Sequence, residues 1–243
     1  MGNIYDEAVE VARRTMVLFF VVDNSRSMEG EKIGTVNSAI EDILPELKQL
    51  SAENADAQIK IAALSFSTGA RWITAAPVEA ESFQWSWMTA GGYTDLGAAC
   101  RELNAKLSRN AFMSDVAGSF APAIFLMSDG DPTDEYEAGL NELKQNNWFR
   151  KAIKVAVAIG DDANTDVLAE FTGNKESVLT AHSPEALRQM IRFVSITASQ
   201  IGSRSSAVGR AGVDEVVSKQ EEFVGQVQAA KLGADFTDDD MIW

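Results

Sequence analysis

Residues Met16 to Gly30, M-V-L-F-F-V-V-D-N-S-R-S-M-E-G, set seven uninterrupted apolar residues directly before an acid, two serines and a glycine. A run of this length, rich in Val and Phe and bounded by polar residues, reads as a strand buried on both faces, as in a parallel sheet. Asp23, Ser25 and Ser27 then stand at its C-terminal end, the edge at which open α/β sheets bind ligands. Alternate residues of an extended turn can point the same way, so one carboxylate and two hydroxyls can converge on a small hard cation.

The rest of the chain alternates strand and helix patterns. Gly30 leads into Ile33, Val36, Ile40, Ile43, Leu44, Leu47 and Leu50, the stripe of an amphipathic helix ending near Ser51 and kinked at Pro45. Gln58 to Phe66 reads as a strand. Ser67-Thr68-Gly69 turns it into an antiparallel edge strand over Ala70 to Thr74, because the link is too short for a parallel crossover. Residues 77–93 form an irregular, aromatic-rich stretch ending in Gly91-Gly92. A helix follows with Leu96, Ala99, Cys100, Leu103 and Leu107 on one face.

Strands are expected at Ala123 to Met127, Val155 to Ile159 and Ser177 to Thr180. Helices are expected around Tyr136, Leu140 and Leu143, over Thr165 to Phe171, and from Ser183-Pro184 through Ile201. Asp131-Pro132-Thr133-Asp134 carries the cap, first-turn proline and first-turn acid of a helix start. The pattern is α/β: a doubly wound, mostly parallel sheet with one antiparallel edge strand, flanked by helices. The expected organisation is an N-terminal helical extension over 1–14, the main domain over 15–202 and a Gly/Ser-rich linker over 203–211. An amphipathic helix with an acidic tail then occupies 212–243.

Composition narrows the partners. A net charge of −15 argues against nucleic acid or an anionic membrane as the main partner and suits divalent cations or basic protein surfaces. Cys100 is the single cysteine, so no intrachain disulfide is possible and a reducing compartment is the natural reading. The longest apolar run, seven residues, falls short of the roughly 20 a membrane-spanning helix needs, and no signal peptide pattern precedes it. The expectation is a cytoplasmic protein.

Oxygen-bearing side chains recur at three strand ends or helix entries: Asp23/Ser25/Ser27, Thr94 with Asp95 after the glycine pair, and Asp129 in S-D-G-D. In a parallel sheet these loops lie on one edge, so groups distant in sequence meet in space. D-N-S-R-S, G-G-Y-T-D-L and F-L-M-S-D-G resemble the three parts of the metal-ion-dependent adhesion site of von Willebrand factor type A domains, and the resemblance extends over about residues 15–202. F-L-M-S-D-G-D-P-T-D followed by V-A-V-A-I-G-D-D-A-N-T-D-V-L is similar in particular to the bacterial tellurium-resistance (TerY-like) branch. The resemblance implies a Rossmann-like fold and a Mg2+ site, with Ca2+ or Mn2+ as alternatives. In that pattern Ser25 and Ser27 coordinate through their hydroxyls, Thr94 joins in the ligand-bound state, and Asp23 and Asp129 bind directly or through water. A partner's carboxylate takes the remaining position. Arg26, where the family often has glycine, and Tyr93, between Gly92 and Thr94, put bulk beside this site.

The function expected from the resemblance is a non-enzymatic, metal-dependent adaptor in a bacterial stress-response or defence system, with a kinase or phosphatase of the same system as a candidate partner. A Mg2+-dependent phosphoryl-transfer enzyme or hydrolase is the alternative suggested by Asp129-x-Asp131, although no nucleophile-base pair or phosphate-binding glycine motif accompanies it. A self-assembling structural subunit, joined through the acidic tail, is the third reading. Trp85, Trp87, Arg26 and Tyr93 are the candidate partner-binding residues, large aromatics being enriched at interfaces. Asp131 and Asp134 read as helix-start residues, Asp161 and Asp162 as a solvated turn, and Cys100 as a buried thiol. His182 carries no assigned chemistry. The tail Asp238-Asp239-Asp240-Met241-Ile242-Trp243 has the chemistry to dock into the same metal site of its own chain or of a neighbour.

Overall fold

A computed structural model describes residues 13–115, 118–204 and 219–232. The apolar run becomes β1 (Arg14–Asp23), in which every residue after Arg14 is buried. It pairs in parallel with β2 (Ala57–Ser67) on one side and β5 (Ala123–Ser128) on the other. Being central, β1 has no wet face, and alternate residues feed two separate cores. Met16, Leu18, Phe20 and Val22 enter one core, and Val17, Phe19 and Val21 the other.

The first core is closed by α1 (Glu31–Glu53) and α6 (Pro184–Arg204), the second by α2 (Leu96–Lys106), α3 (Tyr136–Lys144) and α5 (Thr165–Thr172). With β6 (Ile153–Ile159) and β7 (Val178–Ala181) added in parallel, and β3 (Gly69–Trp72) at the opposite edge, the sheet order is β3-β2-β1-β5-β6-β7. Strand order therefore reverses around β1. The C-terminal ends of β1 and β5 lie side by side at that reversal, where an α/β sheet opens its ligand crevice.

The expected antiparallel edge strand is present as β3 (Gly69–Trp72). A second short piece, β4 (Val78–Glu79), pairs antiparallel with Lys60 and Ile61 of the same β2 edge, inside the stretch read as irregular. α1 runs unbroken through Pro45. Pro45 and Glu41, whose carbonyl the proline leaves unbonded, are both exposed, so water can satisfy the orphan group. A further one-turn helix, α4 (Asn147–Lys151), is capped by Asn146, whose side chain accepts from the N–H groups of Trp148 and Phe149. Cys100 is buried and its thiol is pushed up to about 12 by desolvation, as suits an unreactive core residue.

Residues 1–12, which include most of the expected N-terminal helix, lie outside the described residues. So do 205–218, with most of the linker, and the tail beyond 232. The C-terminal helix is described as α7 (Lys219–Leu232), and it packs on the main domain. Phe223 and Val227 are fully buried in the first core, a burial of about 2 kcal/mol for the phenylalanine alone. Gln220 also completes the sheet. β6 pairs with β7 only from Ala156 onward, so the outward backbone groups of Lys154 have no strand partner. The Gln220 amide supplies one: the Lys154 N–H donates to Oε1 at 2.8 Å, and Nε2 donates to the Lys154 carbonyl at 3.0 Å. Among the described residues no helix is long and apolar enough to cross a membrane.

Lys154 itself is 8% exposed, and its ammonium group donates to the carbonyls of Ala152 at 3.1 Å and Phe149 at 3.3 Å, with no carboxylate partner among the described residues. Burial pushes its pKa down from 10.5 to about 8. Below that value the folded protein holds a charge in a poorly solvating site. Between 8 and 10.5 the unfolded chain binds a proton that the folded chain does not, so this residue's contribution to stability rises with pH. The stability of the wild type relative to Lys154→Met, from urea melts, is therefore expected to increase across that window. A pH-independent difference would reject this account.

Candidate metal centre

Where β1 ends, Asp23 organises the turn through its own carboxylate. The Ser25 N–H donates to Asp23 Oδ1 at 2.8 Å, an Asx turn that diverts the chain into a single 3-10 turn, Arg26–Met28. The Ser25 and Ser27 hydroxyls stand 3.0 Å apart as a result, so the turn brings together the two hydroxyls that the D-x-S-x-S spacing singles out. Asp23 and Ser25 are fully buried, and Ser27 is exposed and opens the site to solvent.

The second carboxylate arrives from β5. Val22 of β1 is in register with Met127, which brings Ser128 beside Asp23. The Ser128 hydroxyl donates to Asp23 Oδ2 at 2.6 Å and accepts from the Gly130 N–H at 2.8 Å. Both oxygens of Asp23 are thus hydrogen-bonded to the protein. Burial, the largest influence, raises its pKa; the Ser128 and Ser25 hydrogen bonds oppose this, and the nearby Asp129 charge adds to it.

Asp129 differs. Its Oδ2 accepts from the Lys32 ammonium at 3.2 Å, whereas Oδ1 is buried and has no hydrogen-bond partner among the described residues. Gly130, at φ 76°, turns the chain sharply after it; a Cβ there would sit 2.6 Å from the Asn164 carbonyl.

Thr94 is 5% exposed in the loop entering α2, and Thr133 holds it in both directions. The Thr94 N–H donates to Thr133 Oγ1 at 2.9 Å and the Thr133 N–H to the Thr94 carbonyl at 2.8 Å. The glycine pair joins this loop to the first. Gly91 N–H donates to the Asn24 carbonyl and Arg26 N–H to the Gly92 carbonyl, with Gly92 at φ 88° so close to Thr68 that a Cβ would lie 2.7 Å from its hydroxyl. Asp95, one of the oxygen-bearing residues of this loop, is used elsewhere, accepting the Gly69 N–H at 2.7 Å to latch the β2–β3 turn.

Several sequence expectations change. Asp134 does not start α3, which begins at Tyr136. Its carboxylate accepts the Gly97 and Ala98 N–H groups and so caps α2, a neighbour in space. Asp131 accepts from the Asn164 side chain at 3.0 Å. Asp161 and Asp162 are exposed, yet Asp161 pairs with His182 at 2.8 Å and Asp162 with Lys32 at 2.8 Å. Trp85 leaves the set of partner-facing residues, because it is buried in the first core with its indole N–H donating to Asn37 Oδ1 at 3.0 Å. Trp87 and Tyr93 are 60% and 67% exposed and Arg26 is exposed, so these three stay available to a partner.

Ser128, Thr133 and Lys32 are site residues that the sequence reading did not single out. Ser128 had a usable signal, since it stands at the last position of a buried strand directly before Asp129.

A divalent metal fits this donor set. Two carboxylates and neighbouring hydroxyls are hard oxygen ligands of the kind Mg2+, Mn2+ and Ca2+ accept, and the orphaned Asp129 Oδ1 is a buried carboxylate oxygen without a hydrogen-bond donor among the described residues. Among the described residues no group of three or more His, Cys, Asp or Glu side chains is placed to hold a metal, so any such site must draw on the hydroxyls.

Comparison with known proteins places this architecture. Among solved structures, the pilus adhesin SpaC from Lactobacillus rhamnosus GG in its open conformation is similar at a TM-score of 0.58 with 15% identity, over 78% of this chain and 30% of that one. A von Willebrand factor type A protein from Catenulispora acidiphila is similar at 0.56 and 14% identity, over 76% and 43%. Proximal thread matrix protein 1 from the mussel byssus, with a zinc-occupied MIDAS motif, is similar at 0.54 and 16% identity, over 75% and 47%. The chain thus spans less than half the length of each of these, and at such identities the likeness is one of fold. Among curated proteins, none matches the chain in sequence. Residues 18–193, from within β1 to within α6, match the von Willebrand factor type A domain, and the chain belongs to that family.

Proposed function

We propose that this chain is a non-enzymatic, divalent-metal-dependent protein-interaction module that recognises a carboxylate on a protein partner. Asp129 and the Ser25/Ser27 hydroxyl pair would hold the metal directly, Thr94 would join them, and Asp23, with both oxygens already hydrogen-bonded, would act through water. Bound there, a cation such as Mg2+ supplies an electrophilic position for an incoming acid. The observation that carries the reading is the buried, partnerless Oδ1 of Asp129 at the sheet edge that also presents two hydroxyls 3.0 Å apart.

Arg26, Tyr93 and Trp87 form the exposed surroundings from which the partner would be selected. The engagement of Asp131 by Asn164 weighs against the phosphoryl-transfer alternative, which relied on Asp129 and Asp131 acting together. The F-L-M-S-D-G-D-P-T-D run supports a cytoplasmic role in a bacterial tellurite- or stress-response system, with a kinase or phosphatase of that system as the partner.

Affinity capture from native lysate tests the proposal, comparing the wild type in Mg2+, the wild type in EDTA, and Asp129→Ala in Mg2+. A protein retained by the wild type in Mg2+ alone is the expected result. Identical captures in all three arms would overturn it.

A further inference from the structure

Lys32 lies in the first turn of α1, where a basic residue opposes the positive end of the helix dipole, and its side chain is only 19% exposed. It is held there by acids from two other elements: Asp129 Oδ2 at 3.2 Å, after β5, and Asp162 Oδ1 at 2.8 Å, after β6. Gly160, at φ 90°, passes beneath it so closely that a Cβ would fall 2.8 Å from Lys32 Cε and 2.9 Å from Asp162 Oδ1. The two acids differ in kind. Asp129 is buried and Asp162 is 72% exposed, so only Asp129 depends on Lys32 for neutralisation. A cleft of about 540 Å3, lined by Lys32, Thr35, Gly160 and His182 among others, leaves the lysine room to swing away from Asp129.

We propose that Lys32 is a tethered competitor for the metal, pairing with Asp129 when the site is empty and retreating to Asp162 when it fills. This rests on the metal-site reading above. Lys32 keeps the empty site assembled by neutralising the buried acid, and it weakens metal binding because its charge repels a second cation at the same carboxylate. Asp162 sets the strength of that competition by offering the ammonium group an alternative partner.

The test is isothermal titration calorimetry with Mn2+ or Mg2+ alone on the full chain, together with thermal melts in EDTA. Lys32→Met is expected to bind metal roughly tenfold more tightly than wild type, while melting at a lower temperature in EDTA, a combination that a purely structural role does not produce. Asp162→Asn, at an exposed position that does not threaten folding, is expected to weaken binding by about threefold in the wild type and to have no effect in the Lys32→Met background. Unchanged or weaker binding by Lys32→Met, or the same Asp162→Asn effect in both backgrounds, would overturn the proposal. Asp129→Ala separates the two layers. If wild type and Asp129→Ala bind metal equally, the metal-site reading fails and the lysine proposal with it. If only wild type binds and Lys32→Met changes nothing, the lysine proposal alone fails.

Discussion

Asp129→Ala is expected to lower divalent-metal affinity at least a hundredfold and, in EDTA, to raise the melting temperature. The first effect follows from removing one of two carboxylates in the candidate donor set; losing even a partner that only supports a ligand typically costs ten- to a hundredfold. The second follows from what Asp129 does in the absence of metal. Its Oδ1 is buried without a hydrogen bond, a state that costs about 1–3 kcal/mol, and its charge helps push up the pKa of Asp23. Lys32 keeps Asp162 as a partner after the substitution, so no cation is stranded. A rise of about 2–4 °C corresponds to 1 kcal/mol in a chain of this size. Calorimetry of metal binding and of unfolding would read both effects. A lower melting temperature in EDTA would show that Asp129 stabilises the empty fold and is not held there at a cost.

Gly139→Val is expected to destabilise the protein by about 3 kcal/mol, roughly 6–12 °C in melting temperature, and to disturb the metal centre as well. Helices α2 and α3 meet backbone to backbone at this point. A Cβ on Gly139 would overlap the Gly97 carbonyl oxygen and lie 3.0 Å from the Gly97 Cα, and one on Gly97 would lie 3.0 Å from the Tyr136 Cα and 3.1 Å from the Glu135 carbonyl oxygen. None of these backbone atoms can yield without separating the helices. Separation would also break the α2 cap, because Asp134 holds the Gly97 and Ala98 N–H groups, and would strain the Thr133–Thr94 pair. Metal affinity is expected to fall alongside stability although residue 139 touches no ligand. Gly225→Ala in α7 is the contrasting substitution. A Cβ there meets nothing within 4 Å, so the helix gains up to about 1 kcal/mol. Thermal melts of the two variants should move in opposite directions, and a melting temperature for Gly139→Val near that of wild type would refute the close-contact account.

The aromatic stretch shows where reading a sequence stops. Trp85 and Trp87 stand two residues apart, a spacing that in an extended stretch puts both on one face, so the spacing does not separate them. Asn37 of α1 separates them in the fold, accepting the Trp85 indole N–H and the Met88 N–H and drawing Trp85 inward, while Trp87 donates to the exposed Glu41 at 2.7 Å. Asp134 is a similar case. A helix-start acid is a sound local reading, yet the orphan N–H groups nearest to it belong to α2 and not to the helix that follows it.

The sequence by itself determined the α/β sheet, the burial of β1 on both faces and the strand ends that carry oxygen-bearing side chains. Each of these follows from local physics: uninterrupted apolar runs must be buried on both faces, and Asp, Ser and Gly end strands by bonding their own backbone. Tertiary structure alone decided the division of labour between the two carboxylates. Asp23 has its second oxygen bonded by Ser128, 105 residues away, and Asp129 has one oxygen paired with Lys32, 97 residues away. Those partners are set by strand order and helix packing. The charge on a buried acid depends on whichever donors the fold brings within hydrogen-bonding reach of it, and no local pattern encodes that placement.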